Sequence, residues 1–170
     1  VTWPLLLSAA FMMLGNGLQG SLLGLRATIE GFPTALTGLV MSAYFAGFFL
    51  GSNLIPKFVR RVGHVRVFAA LIALASIANL VQSALVFWPV WTVMRALTGF
   101  SFVGLYIVCE SWLNDATPNQ TRGRLLSLYM AIQFGAVTAS QLLLNLASPA
   151  GYGLFILVSV LLSAAILPVV

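Results

Sequence analysis

Six long apolar runs, separated by short polar breaks, constrain this sequence more than any other feature. A run of about 20 apolar residues forms a helix of about 30 Å, which matches the hydrocarbon core of a bilayer. The pattern therefore predicts an all-α membrane protein with six transmembrane helices. The predicted spans are residues 3–25, 34–55, 67–87, 90–113, 125–147 and 154–170.

The first run, from Trp3 to Leu25, has no charged segment before it and is too long for the core of a signal peptide. It is therefore interpreted as a transmembrane helix. Because the sequence does not begin with Met, the chain is expected to have been trimmed.

The composition excludes the soluble classes of protein. Hydrophobic residues make up 61% of the chain and charged residues only 6%, whereas an average soluble domain has about 25% charged residues. The single cysteine, Cys109, excludes a disulfide framework and a cysteine-based metal site. A small buried side chain is the interpretation favoured for it.

The net charge of +5 is concentrated after the second and fourth spans. The basic residues there are Lys57, Arg60, Arg61, Arg66, Arg122 and Arg124. The breaks after the other spans contain only Arg26 and Glu30. The positive-inside rule predicts cytoplasmic loops at Pro56–Arg66 and Asn114–Arg124, and hence cytoplasmic termini. So few charges between apolar runs indicate topology signals facing anionic lipid, so the bilayer is the expected partner and nucleic acid is not.

Small residues recur every four positions along three of the spans. The stripes are Gly20 and Gly24, then Ala43, Gly47 and Gly51, then Ala131, Gly135 and Ala139. Such stripes let helix backbones approach closely in lipid, so they are interpreted as helix-packing surfaces.

Polar side chains within the spans are candidates for interhelical hydrogen bonds or for a pathway through the membrane. In span one, Asn16 and Gln19 lie on the same side. In span five, Gln133 follows a tyrosine by one turn. Asn79 and Gln82 in span three are interpreted as interhelical hydrogen-bonding groups.

Span four contains two charged residues, Arg95 and Glu110. An ionisable group in the membrane costs about 2.5–3.5 kcal/mol and is a functional candidate. Arg95 lies about 9 Å from the outer end of the span, so it either snorkels to the headgroups or faces a cavity, on the same helix face as Tyr106. Glu110 is expected to pair with an arginine of the basic loops, and we call these expected ion pairs the cytoplasmic latch. The candidate partners are Arg61, Arg66, Arg122 and Arg124.

The segment after span two resembles the signature loop of the major facilitator superfamily of transporters. The matching residues are Gly51, Arg61, Gly63 and Arg66. The sequence departs from that signature at Pro56, where a Gly is usual, and at Arg60, where an Asp is usual.

Span four adds a second similarity, because Met94–Gly99 resembles the Arg-x-x-x-Gly element of the family's fourth helix. Residues 110–113, 122–124 and 129–130 resemble the branch of YcaD-like transporters. The run Phe134–Thr138 has no Pro, unlike the Gly-Pro-rich element of drug–proton antiporters. The resemblance covers more than half of the chain.

This resemblance implies the N-terminal half of a transporter, built from two inverted three-helix repeats, with the C-terminal half outside the sequence. It implies a secondary active transporter of a small solute that works by alternating access in a bacterial cytoplasmic (inner) membrane. The positive charge of Arg95 favours an anionic substrate, and coupling to protons stays open. The residues expected along the pathway are Arg95, Asn16, Gln19, Tyr106 and Gln133. No cofactor and no metal are expected.

A non-transporting scaffold or assembly factor with the same fold is the alternative. An intramembrane enzyme needs a nucleophile with a base, or metal ligands, at membrane depth. The only histidine, His64, falls in a basic loop, and the chain has no paired carboxylates. An enzyme is therefore not expected.

Overall fold

A computed structural model describes residues 2–170 and folds them into a bundle of α-helices. The helices are α1 (Thr2–Ile29), α2 (Thr34–Val62), α3 (His64–Ala84), α4 (Trp88–Ala116), α5 (Asn119–Leu143) and α6 (Gly153–Ala164), followed by a 3-10 turn at Leu167–Val169. By length and composition α1 to α5 can each cross a membrane, and α6 is shorter. The all-α membrane fold class is confirmed.

The predicted basic loop between α2 and α3 is too long. Helix α2 continues through Pro56 to Val62, and α3 begins at His64, so Gly63 alone joins them. Gly63 has φ of 90°, a conformation that suits glycine. Lysine and arginine favour helix, so α2 remains helical after its sequence stops being apolar. Hydropathy therefore marks where the helix leaves the hydrocarbon, and the helix itself ends later.

The second predicted basic loop is shortened in the same way. Helix α4 continues to Ala116 and α5 begins at Asn119, so only Thr117 and Pro118 separate them. The arginines at 122 and 124 therefore belong to the first two turns of α5.

The last two predicted spans are longer than the helices that form. Helix α5 ends at Leu143 rather than at residue 147, and residues 144–152 form turns. Helix α6 has 12 residues, and a 3-10 turn containing Pro168 replaces its expected C-terminal part. Proline has no backbone N–H and disfavours the α conformation in the residue before it, so the α-helix stops short of Pro168.

Helices three positions apart in the chain have equivalent neighbours. Helix α2 packs against α4 as α5 packs against α1, and α3 packs against α4 as α6 packs against α1. When each helix is exchanged with the one three positions away in the chain, the α3–α6 contact maps onto itself, and so does the α1–α4 contact. Two inverted three-helix repeats produce this pattern. Helices α1 and α4 are the most covered, whereas α2 and α5 are the least covered.

The crossing of α2 and α4 depends on glycine. A Cβ atom at Gly47 would overlap the carbonyl of Ala96, and one at Gly99 would lie 2.7 Å from the carbonyl carbon of Tyr44. A Cβ atom at Gly51 would lie 2.9 Å from another α4 carbonyl. The interpretation of the α2 stripe as a helix-packing surface is confirmed.

The stripe on α5 does not pack within the described chain. Ala131, Gly135 and Ala139 are exposed, and no atom outside the helix lies within 4 Å of a Cβ placed at Gly135. The buried side chains of α5 are instead Tyr129, Ala136 and Ser140. The predicted packing face of this helix was therefore wrong for residues 2–170.

The polar side chain of Asn79 joins α3 to α6. Its amide donates to the Phe155 carbonyl at 2.7 Å and to the Ser159 hydroxyl at 2.9 Å. The interpretation of Asn79 as an interhelical hydrogen-bonding group is confirmed.

Candidate functional site: a polar cluster around Arg95

Arg95 of α4 points into the bundle, toward α1 and α2. Only 7% of it is exposed. Its Cζ atom lies 4.6 Å from the centre of the Tyr44 ring, within cation–π range. Its Nη2 atom lies 3.7 Å from where a Cβ atom would stand at Gly20 of α1. Arg95 therefore packs among α4, α1 and α2, and its role on the pathway stays a prediction.

Two of the Arg95 nitrogen atoms have no hydrogen-bond partner. Nε and Nη1 are buried and unpaired among residues 2–170. An unpaired buried donor carries its full desolvation penalty, and the penalty is larger for a charged group. Both atoms are also sealed from solvent in this structure, so an acceptor from outside the chain reaches them only after neighbouring side chains move. Nη2 is not among these sealed atoms.

Asn16 of α1 and Tyr106 of α4 extend the polar cluster along the same face. The Asn16 amide donates to the Tyr106 hydroxyl at 3.5 Å, and that hydroxyl lies 3.5 Å from the Met13 sulfur. The Tyr44 hydroxyl lies near both Asn16 and Arg95. Three of the predicted pathway residues, Arg95, Asn16 and Tyr106, thus share one cluster.

Three aromatic rings follow Arg95 along this face. The ring centres of Tyr44 and Phe48 are 6.0 Å apart, and those of Phe48 and Tyr106 are 6.3 Å apart. We call these three residues the aromatic row. All three are half-buried, so each ring keeps part of its surface open.

The structure buries Gln19 and gives it a hydrogen-bond partner on α3. Its side chain is fully buried and donates to the Gln82 side chain at 3.1 Å. The Gln82 amide reaches the Trp91 carbonyl at 3.4 Å, and the Trp91 indole donates to the Gln82 carbonyl at 2.9 Å. Gln19 therefore joins α1 to α3, and through Gln82 to α4.

No hydrogen bond joins Gln133 of α5 to Arg95 within residues 2–170. Gln133 is half-buried, and its amide nitrogen is unpaired within residues 2–170. The nearby hydroxyl of Tyr129 is also buried without a partner in this part of the chain. The role predicted for Gln133 stays a prediction.

The cytoplasmic latch does not form in this structure. Glu110 is exposed, and no arginine of residues 2–170 makes an ion pair with it. Helix α4 continues for six residues beyond Glu110, about 9 Å along the axis, which moves its C-terminal end away from that carboxylate. Arg122 binds that end instead, since its Nη2 atom lies 3.3 and 3.4 Å from the carbonyls of Asn114 and Thr117.

His64, and not a latch arginine, connects the α2–α3 junction to the last turns of α4. Its Nε2 atom lies 3.0 Å from the Ser111 hydroxyl and 3.9 Å from the Asp115 carboxylate. Its ring centre is 5.9 Å from that of Trp112. These contacts tie the start of α3 to the end of α4. Sequence reasoning missed them, and the placement of both segments on one side was the only available signal.

Arg26 makes an equivalent connection at the end of α1. Its Nη1 atom donates to the carbonyls of Pro149, Ala150 and Gly151, at 2.6–3.2 Å, and its Nε atom pairs with Glu30 at 2.7 Å. In the two three-helix repeats, α1 is equivalent to α4, and the α5–α6 connection is equivalent to the α2–α3 connection. Arg26 and His64 thus hold equivalent junctions.

The larger cavities lie away from Arg95. One of about 510 Å³ opens beside Trp3, Arg124 and Leu128, and one of about 540 Å³ lies between α3 and α6 beside Leu80 and Val160. Within residues 2–170, no group of three His, Cys, Asp or Glu side chains is placed to hold a metal ion. Arg95 lines neither of these two cavities.

Comparisons with known proteins identify relatives of this chain. The sequence model of a family described as "Sugar (and other) transporter" matches residues 7–170. A protein of Escherichia fergusonii described as "Uncharacterized MFS-type transporter YcaD" is 31% identical over 167 residues, which cover 96% of this chain and 43% of the relative. An MFS-type transporter of Enterobacter sp. (strain 638) is 31% identical over 143 residues, which cover 83% of this chain and 37% of the relative. The chain spans less than half the length of these relatives. No solved structure gives a significant match.

Proposed function

Because the chain belongs to the sugar (and other) transporter family, within the major facilitator superfamily, we propose that it is one half of a secondary active transporter that moves a small anionic solute by alternating access. The family consists of membrane transporters and not of enzymes. The chain is accordingly an integral membrane protein of a bacterial family, and its partners are the bilayer and a small-molecule substrate.

The anionic character of the substrate rests on Arg95. A buried guanidinium with two unpaired N–H groups is unfavourable in a membrane protein unless an anion approaches it. Tyr44 covers one face of the guanidinium, and Nη2, beside Gly20, is the nitrogen that is not sealed from solvent. An approaching anion would therefore meet Nη2 first.

A second six-helix half would cover the faces that this half leaves open. Helices α2 and α5 are the least covered, Phe49 of α2 is 74% exposed, and the α5 stripe touches no other helix at Gly135. More than half of each relative's length lies outside the match. A partner half that packs on α2 and α5 would place the Arg95 cluster between the two halves.

The proposed orientation has both termini in the cytoplasm, in the inner membrane. The basic residues at the α2–α3 and α4–α5 junctions support it, because such clusters stay on the cytoplasmic side.

The test uses this chain assembled with its second half, in proteoliposomes, with uptake of labelled organic anions as the measurement. Arg95→Gln removes the charge and the fork, and each lost charged hydrogen bond is worth about 1.5–3 kcal/mol, or about 10- to 150-fold in uptake efficiency. Arg95→Lys keeps the charge and loses the two-pronged contact, so it should fall between. An imposed proton gradient in the same vesicles tests proton coupling.

Arg60→Gln is the matched control, because Arg60 is exposed at the end of α2, far along the helix from Tyr44. It removes the same charge and should leave uptake within twofold. Uptake that Arg95→Gln leaves unchanged, in a folded and inserted protein, would refute the anion site. Failure of the intact protein to carry any solute would favour the scaffold alternative.

A further inference from the structure

A cleft of about 310 Å³ opens between α2 and α3, close to their junction at Gly63. Both helices pack on α4. Ile55 of α2 and Leu71 of α3 meet over Gly104 of α4, where a Cβ atom would lie 3.1 Å from the first and 2.5 Å from the second. The two helices therefore converge at the floor of the cleft and leave a wedge above it. Arg66 is the only polar residue among those that line the cleft, and the others are apolar.

The cleft lies on the side of α2 opposite to the face proposed for the second half. Phe49, which is 74% exposed, belongs to that face, and Phe58 lines the cleft. Nine residues separate Phe49 from Phe58, which is about 180° around a helix. The far wall of the cleft is α3, which packs on α4 and α6. A second half that covers Phe49 therefore leaves this cleft open to lipid.

The cleft changes from charged to apolar with depth. Arg66, Ala70 and Leu74 follow one another at four-residue intervals along α3 and line the cleft over about 12 Å. Arg66 lies in the first turn of α3, is exposed, and makes no ion pair with an acid of residues 2–170. The basic residues of the last two turns of α2 add positive charge at the same level. A phospholipid has this same order, with its phosphate at the membrane surface and its hydrocarbon beneath.

We propose that this cleft binds an anionic phospholipid, whose phosphate pairs with Arg66 and one of whose acyl chains packs against Ala70 and Leu74. Basic pockets between helices at the cytoplasmic surface suit such headgroups. The volume is at the small end of ligand pockets, so it holds part of one chain while the other chain stays in the bilayer. Lipid tails are as apolar as the lining, so the chain adds close packing and the charge of the headgroup supplies the selectivity.

The experiment uses the chain assembled with its second half in detergent. It is titrated with phosphatidylglycerol or with phosphatidylcholine, and native mass spectrometry counts the bound lipid. Phosphatidylglycerol should bind at least about tenfold more tightly, because it presents its phosphate without an attached cation. Arg66→Gln should weaken phosphatidylglycerol binding at least about tenfold, and Arg66→Lys should retain more of it than Arg66→Gln does.

Arg60→Gln is the matched control for charge, because Arg60 is exposed at the same junction and does not line the cleft. Loss of one surface cation changes the affinity for anionic lipid about fivefold, so Arg60→Gln should cost no more than that.

A second pair of variants tests the acyl chain. Ala70→Trp fills the cleft without changing its charge, and should weaken phosphatidylglycerol binding about two- to tenfold through lost chain contacts. Ala73→Trp is the control, since Ala73 is exposed on the same helix and does not line the cleft. Glycerol 3-phosphate, which carries the phosphate without a chain, should not displace the lipid.

Several results would overturn the site. Equal effects of Arg66→Gln and Arg60→Gln would mean a basic surface without a lipid site, and equal effects of Ala70→Trp and Ala73→Trp would remove the acyl chain from the cleft. Displacement by glycerol 3-phosphate would assign a soluble phosphate instead. Retained thermal stability of Arg66→Gln shows that weakened binding reflects the site and not unfolding. None of these results bears on Arg95-dependent uptake, so this inference and the proposed function can fail separately.

Discussion

Replacing Gly47 by alanine tests the central helix crossing. A Cβ atom there would overlap the Ala96 carbonyl oxygen, and would lie 2.6 Å from its carbonyl carbon and 2.9 Å from the Phe100 nitrogen. These are backbone atoms of α4, so no change of side-chain rotamer relieves the overlap. Helices α2 and α4 must therefore separate along their contact.

The matched control, in the 170-residue chain measured alone, is Gly135→Ala on α5, where a Cβ atom would meet nothing within 4 Å. Both substitutions gain the same helix propensity, about 0.5–1 kcal/mol in water, so this contribution cancels between them. What remains is the overpacking of the crossing, which typically costs about 1–3 kcal/mol. Gly47→Ala should therefore be about 1–3 kcal/mol less stable than Gly135→Ala.

Cys109 provides the assay, because it is the only cysteine of the chain and is fully buried on α4. Heating the detergent-solubilised protein with a fluorogenic maleimide reports unfolding as this thiol becomes reactive. At about 2–4 °C per kcal/mol for a chain of this size, Gly47→Ala should melt about 2–12 °C below Gly135→Ala. A Gly47→Ala protein that melts as high as Gly135→Ala would refute the close crossing.

Two further predictions concern orientation and helix contacts. Single cysteines at Lys57 and Asn119, in a chain without its native cysteine, should react with an impermeant maleimide only from the cytoplasm, and one at Glu30 only from outside; labelling of 57 and 119 from opposite sides would contradict the six-span topology. Leucine substitutions of Gln19 and Gln82, singly and together, should give a coupling energy of about 0.6 kcal/mol, and at most about 1.7, in a double-mutant cycle of melting measurements. Additive effects would mean that the Gln19–Gln82 hydrogen bond does not stabilise the bundle.

Hydropathy predicted the helices well, because backbone groups in lipid can pair only within a helix or a closed barrel. It predicted their ends poorly. The residues after Pro56 are basic, and hydropathy assigns them to a loop, yet they continue α2 until Gly63 allows a positive φ. The helix end is set by backbone conformation, and composition carries little of that information.

The candidate site also combines residues that the sequence could predict with residues that it could not. Arg95 could be found from the sequence, because a charge inside an apolar run needs a reason. The burial of Gln19 could not, since its hydrogen-bond partner Gln82 lies 63 residues away in the chain. The small-residue stripe around Gly135 on α5 shows that such a stripe does not identify which helix packs on it. Glu110 was misplaced because its helix is longer than its apolar run.

The three-helix repeat has a consequence for how the chain enters the membrane. A unit of three spans ends on the side opposite to its start, so α4 to α6 must insert upside down relative to α1 to α3. Units of similar shape can be told apart by the translocation machinery through their charges. In the first unit the lysine and arginine cluster lies at the α2–α3 junction, whereas the equivalent connection of the second unit, residues 144–152, has no lysine or arginine. The second unit carries Arg122 and Arg124 at the start of α5 instead. The two units therefore differ in where their arginines lie, and these positions would decide the orientation in which each unit inserts into the membrane.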